Sequence, residues 1–319
     1  MSEPLVSVLI TAYNAEPWLA DTLASVRAQT YPHVEVVVVD DGSTDETLAV
    51  ARSFDGVTVL HQRNAGACAA RNRAFEASSG ALVQYLDADD LLAPDKVALQ
   101  VERLAREPSG TVASGPWVRF RGDAPGPERP GPLDDWHDYE PASDWLVESW
   151  AAGGMFASFA WLTPRPLVEA AGPWHEGLRR NQDGEFFARV LLAAERIVFV
   201  PDAWGFYRSG MSGSISHRRS ADVMASLHQA TALCAAHLAT LGDAPAVRRA
   251  RAALWEGFMF EAYVYHRALS LEAEREASAL GGAGLRPGGG RAFRLIRDTL
   301  GWKPAVRFQR LWYRLRYGK

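Results

Sequence analysis

Ala81-Leu82-Val83-Gln84-Tyr85-Leu86-Asp87-Ala88-Asp89-Asp90 is the stretch that decides the fold. A short, mainly apolar run, the pattern of a strand buried on both faces, ends abruptly in a cluster of carboxylates. The same punctuation occurs three times upstream. Leu5 to Ile10 ends at Thr11-Ala12-Tyr13-Asn14, Val34 to Val39 ends at Asp40-Asp41-Gly42-Ser43, and Val57 to Leu60 is followed by Asn64-Ala65-Gly66. Helical segments fall between these runs. Pro17 to Gln29 places Trp18, Leu19, Leu23 and Val26 on one side, Ser43 or Thr44 can cap a helix starting near Asp45, and a third helix runs through Arg71 to Ala77. Strands alternating with helices indicate βαβ units, hence an α/β fold with a mainly parallel sheet and right-handed crossovers. Because every polar cluster follows a strand, all four are expected to converge on one crevice at the carboxyl edge of the sheet.

With 319 residues, 48% hydrophobic and 23% charged, the chain can bury a sizeable core. Its net charge of −4 implies no polyanionic partner for the molecule as a whole. Cys68 and Cys234 have no metal-ligand or disulfide-framework spacing, which fits a reducing cytoplasm. The start, Met1-Ser2-Glu3-Pro4, lacks the features of a signal peptide, and no apolar stretch approaches the ~20 residues of a membrane-spanning helix. His61, His137 and His175 show no ligand spacing to one another.

Beyond the acidic run, a helix is expected over Pro94 to Arg106, then a Gly- and Pro-rich loop over Arg121 to Pro132 that can serve as a lid. Trp136, Trp145, Trp150 and Trp161 lie in a stretch read mostly as core, with an aromatic platform for a ligand as the alternative. A helix over Pro164 to Gly172 follows. From about Ser220 the chain turns Ala- and Leu-rich, with helices expected over Ala221 to Leu241 and Ala246 to Leu280. A linker over Gly281 to Gly290 leads to a basic, amphipathic tail over Arg291 to Lys319. Such a tail either lies in the interface of an anionic membrane or packs on the protein with its arginines solvated. Nothing else in the chain reads as a nucleic-acid module, and no nucleic-acid partner is expected.

Each cluster admits two readings on its own. Asp87, Asp89 and Asp90 repel one another unless a cation or a positive group sits among them, which points to Mg²⁺ or Mn²⁺ completed by phosphate oxygens and water; alternatively they form a solvated helix-capping turn. Asp41 can accept a hydrogen bond from a base imide or help shape a capped turn. Thr11 and Tyr13 can offer backbone and a stacking ring, or simply end a strand. Arg71 reaches a ligand or lies along the surface.

Together, the order and spacing of these clusters resemble the family 2 glycosyltransferases of the GT-A fold over about the first 215 residues. That resemblance implies a nucleotide-diphosphate sugar donor, usually uridine-based, held by Thr11, Tyr13, Asp41, Arg71, Asp87 and Asp89, with Asp89 and Asp90 on the metal. It also implies a general base, which falls on Asp183 in Arg180-Asn181-Gln182-Asp183-Gly184-Glu185, with Glu185 as the weaker candidate and helix capping as the bland role for Asp183. Many relatives carry Glu-Asp where this chain has Gln182-Asp183. The segment Tyr207 to His217 matches a loop that closes on the diphosphate, with Arg208 and His217 as its positive charges. Residues 1–219 are then a catalytic domain, with 1–106 on the nucleotide side and 107–219 carrying the base and facing a glycan or lipid-linked saccharide acceptor; 220–280 are helical. Two rivals remain: a sugar-phosphate nucleotidyltransferase, which lacks support because Thr11 to Trp18 holds no Gly-rich loop with Arg and Lys, and a nucleotide-sugar-binding protein without catalysis, which the altered Gln182 keeps open.

Overall fold

The computed structural model describes residues 3–126, 129–131, 133–154, 156–210 and 220–317, with side chains up to Trp312. The chain divides into two compact units, Met1–Leu146 with Met155–Arg218, and Val147–Gly154 with Arg219–Lys319.

In the first unit the four apolar runs form strands β1 (Val6–Ala12), β2 (Val34–Asp40), β3 (Val57–His61) and β4 (Leu82–Asp87). They alternate with helices α1 (Glu16–Arg27), α2 (Thr47–Arg52) and α3 (Ala67–Glu76). The main sheet has the order β3-β2-β1-β4, with all three of these pairings parallel, and a short antiparallel edge strand, Thr163–Pro164, beside β4. The chain lays strands outward from β1 to β3 and then returns to the other side of β1. The reversal between β1 and β4 is the point where open sheets of this kind hold ligands.

After β4 come the two-residue strand β5 (Leu91–Leu92), helix α4 (Lys96–Leu104), and strands β6 (Thr111–Ser114) and β7 (Trp117–Phe120). Helix α5 (Ser143–Ala151) precedes the edge strand β8 (Thr163–Pro164) and helix α6 (Arg165–Ala171). Helix α7 (Gln182–Ala193) then leads to β9 (Arg196–Phe199) and β10 (Gly205–Arg208). β10 pairs with β5 and β7 in a second, three-stranded sheet, and β6 pairs with β9. The core of the unit packs Val8, Ile10, Leu19, Leu23, Leu86 and Phe159 together. Trp145, Trp161 and Trp174 are buried, as the core reading of the tryptophans expects. Lys96 is fully buried as well, donating to Gln84 Oε1 at 2.8 Å and Gln100 Oε1 at 2.6 Å, and burial pulls its amine down to about 7.

The second unit is helical: α8 (Ala221–Ala239), α9 (Pro245–Ala262), α10 (Arg267–Ala279), α11 (Arg291–Leu300) and α12 (Trp302–Tyr317). The single helical stretch expected over Ala246 to Leu280 is corrected to two helices. The chain turns at Tyr263 to His266, and α10 buries Ala273 and Ala277 with Trp255, Phe258 and Met259 of α9, while Ser270 Oγ donates to the Met259 carbonyl at 3.0 Å. That turn contains neither Gly nor Pro, so no local signal marks it. The Gly-rich linker is tethered: the backbone N–H groups of Ala283, Gly284 and Leu285 donate to the Glu256 carboxylate at 2.8, 3.2 and 2.7 Å. Neither cysteine is in a disulfide and both are buried, and among the described residues no helix is long and apolar enough to cross a membrane.

Gly42, at the turn after β2, has φ +76°, and a Cβ there would lie 2.7 Å from the Asn64 backbone nitrogen. Gly42→Ala is therefore expected to cost about 1–3 kcal/mol of strain, read as a lowered urea midpoint with an unchanged m-value. An unchanged midpoint would show that the two loops are not held this closely.

Candidate active site

Parallel pairing in register puts the first and fourth clusters side by side: Thr11 of β1 is paired with Asp87 of β4 on one side and with Val39 of β2 on the other. Tyr13, just beyond β1, is half exposed. Asn14 takes a left-handed conformation (φ 49°) and ties the first loop to the second. Its N–H donates to Ser43 Oγ at 2.9 Å, and its Oδ1 accepts from the Thr44 N–H at 2.8 Å.

Asp41 joins the second loop to the third. Its Oδ1 accepts from the Ala65 N–H at 2.8 Å and Gln62 Nε2 at 2.7 Å, and its Oδ2 accepts from the Gly66 N–H at 2.8 Å. The carboxylate put forward for a base imide is thus engaged along the turn into α3 and buried. Its neighbour Asp40 is also buried and meets His61 Nδ1 at 2.7 Å.

Arg71 is not a surface residue. It is 7% exposed, and its guanidinium lies 4.5 Å from the Trp174 ring centroid. Nη2 donates to Asp87 Oδ1 at 2.8 Å and Nη1 to Gln182 Oε1 at 2.9 Å. One cation therefore spans the acidic run and the second acidic motif, 111 residues apart in sequence from Arg71 to Gln182. The neutral Gln182 keeps its hydrogen bond to this arginine and also donates Nε2 to the Leu178 carbonyl at 2.8 Å.

Asp183 sits in the first turn of α7, which starts after Asn181 in a left-handed conformation (φ 52°). It lies inside that turn, the N-cap position being Asn181, and in the fields of Arg71 and Asp87. Burial holds it above the usual carboxylate range; the Arg71 charge opposes this and the Asp87 charge adds to it. Glu185, the weaker base candidate, is buried in a two-pronged pair with Arg189 Nε and Nη2, both at 2.9 Å, which removes it from that role.

In the acidic run the three carboxylates have different surroundings. Asp87 faces Arg71. Asp90 is 1% exposed and accepts the Arg208 N–H at 2.9 Å, so it holds β10 against the run. Asp89 remains partly exposed, and burial together with the Asp87 charge pushes its carboxyl up to about 7, against the opposing charge of Arg208. The donor-side role expected of Arg208 is corrected. Its guanidinium is buried over the Phe120 ring and donates to the Asp89 carbonyl at 3.0 Å, the Gly122 carbonyl at 2.5 Å and Asp21 Oδ2 at 3.2 Å. It offsets the carboxylates from behind. His217 lies outside the described residues. Tyr207 is a neighbour of the site that sequence spacing did not single out; burial and the charges of Asp90, Asp87 and Asp89 push its hydroxyl up to about 12, keeping it a neutral donor.

For a divalent cation the fit is with Asp89, a hard oxygen donor with partial solvent access. Asp90 is spent on Arg208. Among the described residues no group of three or more His, Cys, Asp or Glu makes a ready-made metal shell, so a cation here would take its remaining ligands from phosphate oxygens and water, the usual arrangement at phosphate sites. Since the folded-state value of Asp89 is raised, ionising it removes stability as pH climbs from its ordinary 3.8 to about 7. Asp89→Asn is accordingly expected to raise the metal-free melting temperature at pH 8 and much less at pH 5, and to abolish the further rise that Mn²⁺ gives the unsubstituted protein. A Mn²⁺ response that survives the substitution would move the metal elsewhere.

Residues 7–162 match the model of Glycosyl transferase family 2. TuaG of Bacillus subtilis, named as a teichuronic acid biosynthesis glycosyltransferase, is 40% identical over 105 residues, which is 31% of this chain and 42% of TuaG; the chain thus matches less than half of that relative's length. Residues 1–349 of TarS from S. aureus, solved with UDP, superimpose with a TM-score of 0.59 at 18% identity, covering 95% of this chain and 81% of that one. The mannosyltransferase PcManGT from Pyrobaculum calidifontis, solved with GDP-Man and Mn²⁺, gives 0.55 at 20% identity over 98% of this chain and 88% of its own. These two share the fold of this chain. Residues 7–162 are by that match a family 2 glycosyltransferase region, and the chain has the GT-A fold of these solved neighbours.

Proposed function

We propose that the protein transfers a sugar from a nucleotide-diphosphate donor, a UDP-sugar, to a hydroxyl of a glycan or lipid-linked saccharide, with inversion at the anomeric carbon. The observation that carries this reading is the Arg71 bridge: it joins Asp87, at the strand end where a donor would lie, to Gln182, with Asp183 next to it. The donor complexes of TarS with UDP and of PcManGT with GDP-Man and Mn²⁺ support the donor class by likeness of fold.

In this reading Thr11 and Tyr13 border the nucleotide, and Asp41 acts by holding the third loop in place. Asp87 and Arg71 face the ribose and diphosphate. Mg²⁺ or Mn²⁺ bound at Asp89 would neutralise charge on the departing diphosphate. Asp183, ionised, accepts the acceptor's hydroxyl proton while that oxygen forms the new bond to the anomeric carbon; the bond to the diphosphate breaks and its electron pair leaves with the diphosphate. The proton ends on Asp183, and no covalent sugar intermediate forms. We place the reaction in the cytoplasm, with 291–319 in peripheral contact with the inner face of a membrane.

The test is UDP release from a panel of UDP-sugars with Mn²⁺ and candidate saccharide acceptors. Asp183→Asn should lower kcat by ~10²-fold or more while leaving the UDP-induced rise in melting temperature intact. Full turnover in that variant would reject Asp183 as base, and no stabilisation by any nucleotide diphosphate would reject the donor class. Since the ionised form is the base and Asp183 is raised, activity should fall on acidification at a pH above the ordinary carboxylate value of 3.8. Arg71→Met removes a charge that favours ionisation, so this acid limb should move to still higher pH. A limb that stays put would mean Arg71 does not act on the base.

A further inference from the structure

The transferase chemistry leaves the C-terminal helices unexplained. Residues 291–319 hold nine Arg and Lys against the single acid Asp298, a net of +8 that leaves −12 on the other 290 residues. Positive charge is therefore concentrated at one end of an acidic chain.

Helix α12 is anchored at its start and exposed further along. Its first turn is held within its own unit: Trp302 packs edge-on against Phe260 and Tyr263, Ala305 is fully buried, and Lys303 Nζ meets the Glu274 carboxylate at 2.7 Å. Its later turns present Phe308, Leu311 and Trp312 at 40, 58 and 50% exposure. Their spacing of three and four residues puts them on one stripe of the helix, and Arg307 and Arg310 lie beside it, both exposed to solvent while Arg307 reaches over the Tyr263 ring at 5.8 Å and Arg310 Nη1 donates to the Val264 carbonyl at 3.3 Å. Leu295 and Leu300 of the preceding α11 add two more large apolar side chains at 67 and 70% exposure. A helix carrying Trp, Phe and Leu on one stripe and basic residues along its border suits the boundary between lipid headgroups and acyl chains. At 16 residues α12 is too short to span a bilayer, and it is too rich in arginine.

We propose that the exposed stripe of α12 inserts into the interfacial layer of an anionic lipid surface, with Arg307 and Arg310 on the lipid phosphates. Charge decides between this occupant and a second copy of the chain. Pairing α12 with its own equivalent would set like rows of arginine together, whereas an anionic bilayer complements both the stripe and its border. The proposal makes specific the membrane contact named above and does not depend on transfer chemistry.

The test is sedimentation of the full chain, without donor, with vesicles of phosphatidylcholine alone or with 30% phosphatidylglycerol. Binding is expected to the anionic vesicles, to weaken at least tenfold in 0.5 M NaCl, and to be near background on the neutral ones. Replacing Phe308, Leu311 and Trp312 by Ser should reduce binding at least tenfold with the UDP-induced stabilisation unchanged. Arg307→Gln with Arg310→Gln should do the same, and the Arg→Lys pair should retain binding. Undiminished binding by the serine variant overturns the proposal. So does a dimer, seen by light scattering, that the serine variant abolishes while the unsubstituted protein ignores anionic vesicles. Failure here leaves the transferase reading to its own assay, since vesicle binding and UDP release are measured separately.

Discussion

The fold has to hold three carboxylates within four residues at the end of one strand, and the structure does so by giving each a different electrostatic environment. Arg71 approaches from α3 and pairs with Asp87; Arg208 approaches from β10 and offers its backbone N–H to Asp90 and its guanidinium to the Asp89 carbonyl. Both guanidinium groups are buried, where their fields are poorly screened. Asp89 is left between them with partial solvent access and an ionisation made costly by burial. That imbalance is the basis on which a cation is proposed here: a divalent ion at Asp89 would offset the mutual repulsion of the carboxylates.

The same economy runs around the whole rim. Asn14 ties the loop after β1 to that after β2, Asp41 ties the loop after β2 to that after β3, Arg71 ties α3 to β4 and α7, and Asp90 ties the acidic run to β10. Each link is a short polar side chain or a guanidinium meeting backbone or side-chain groups of the next segment. Loops that would otherwise move independently become one polar frame on a rigid sheet, which is the condition for holding a substrate in a fixed geometry. Gln182 fits this frame: its neutral amide accepts a hydrogen bond from Arg71 and leaves that arginine's charge to Asp87 and Asp183.

The alternation of apolar runs and polar stops was sufficient to read the parallel sheet, the placement of four clusters at its carboxyl edge, and the acidic run as their focus. Those features depend on local pattern and on the chirality of βαβ connections, both of which act over a few tens of residues. Amphipathicity of the last thirty residues was legible for the same reason.

What only tertiary structure decided is which candidates face a ligand and which hold the frame. Arg208 and Glu185 carry the right charges at the right places in the chain, yet one is buried among carbonyls and Asp21 and the other is locked to Arg189. Asp90 and Asp89 are neighbours in sequence and differ because one side chain is turned toward the Arg208 backbone. The turn between α9 and α10 is set by the burial of Ala273 and Ala277 rather than by a helix-breaking residue. Residue type and spacing determine the inventory of charges and the strand ends they follow; burial and hydrogen-bond partners come from segments up to 187 residues away, and no local pattern encodes which partner arrives first.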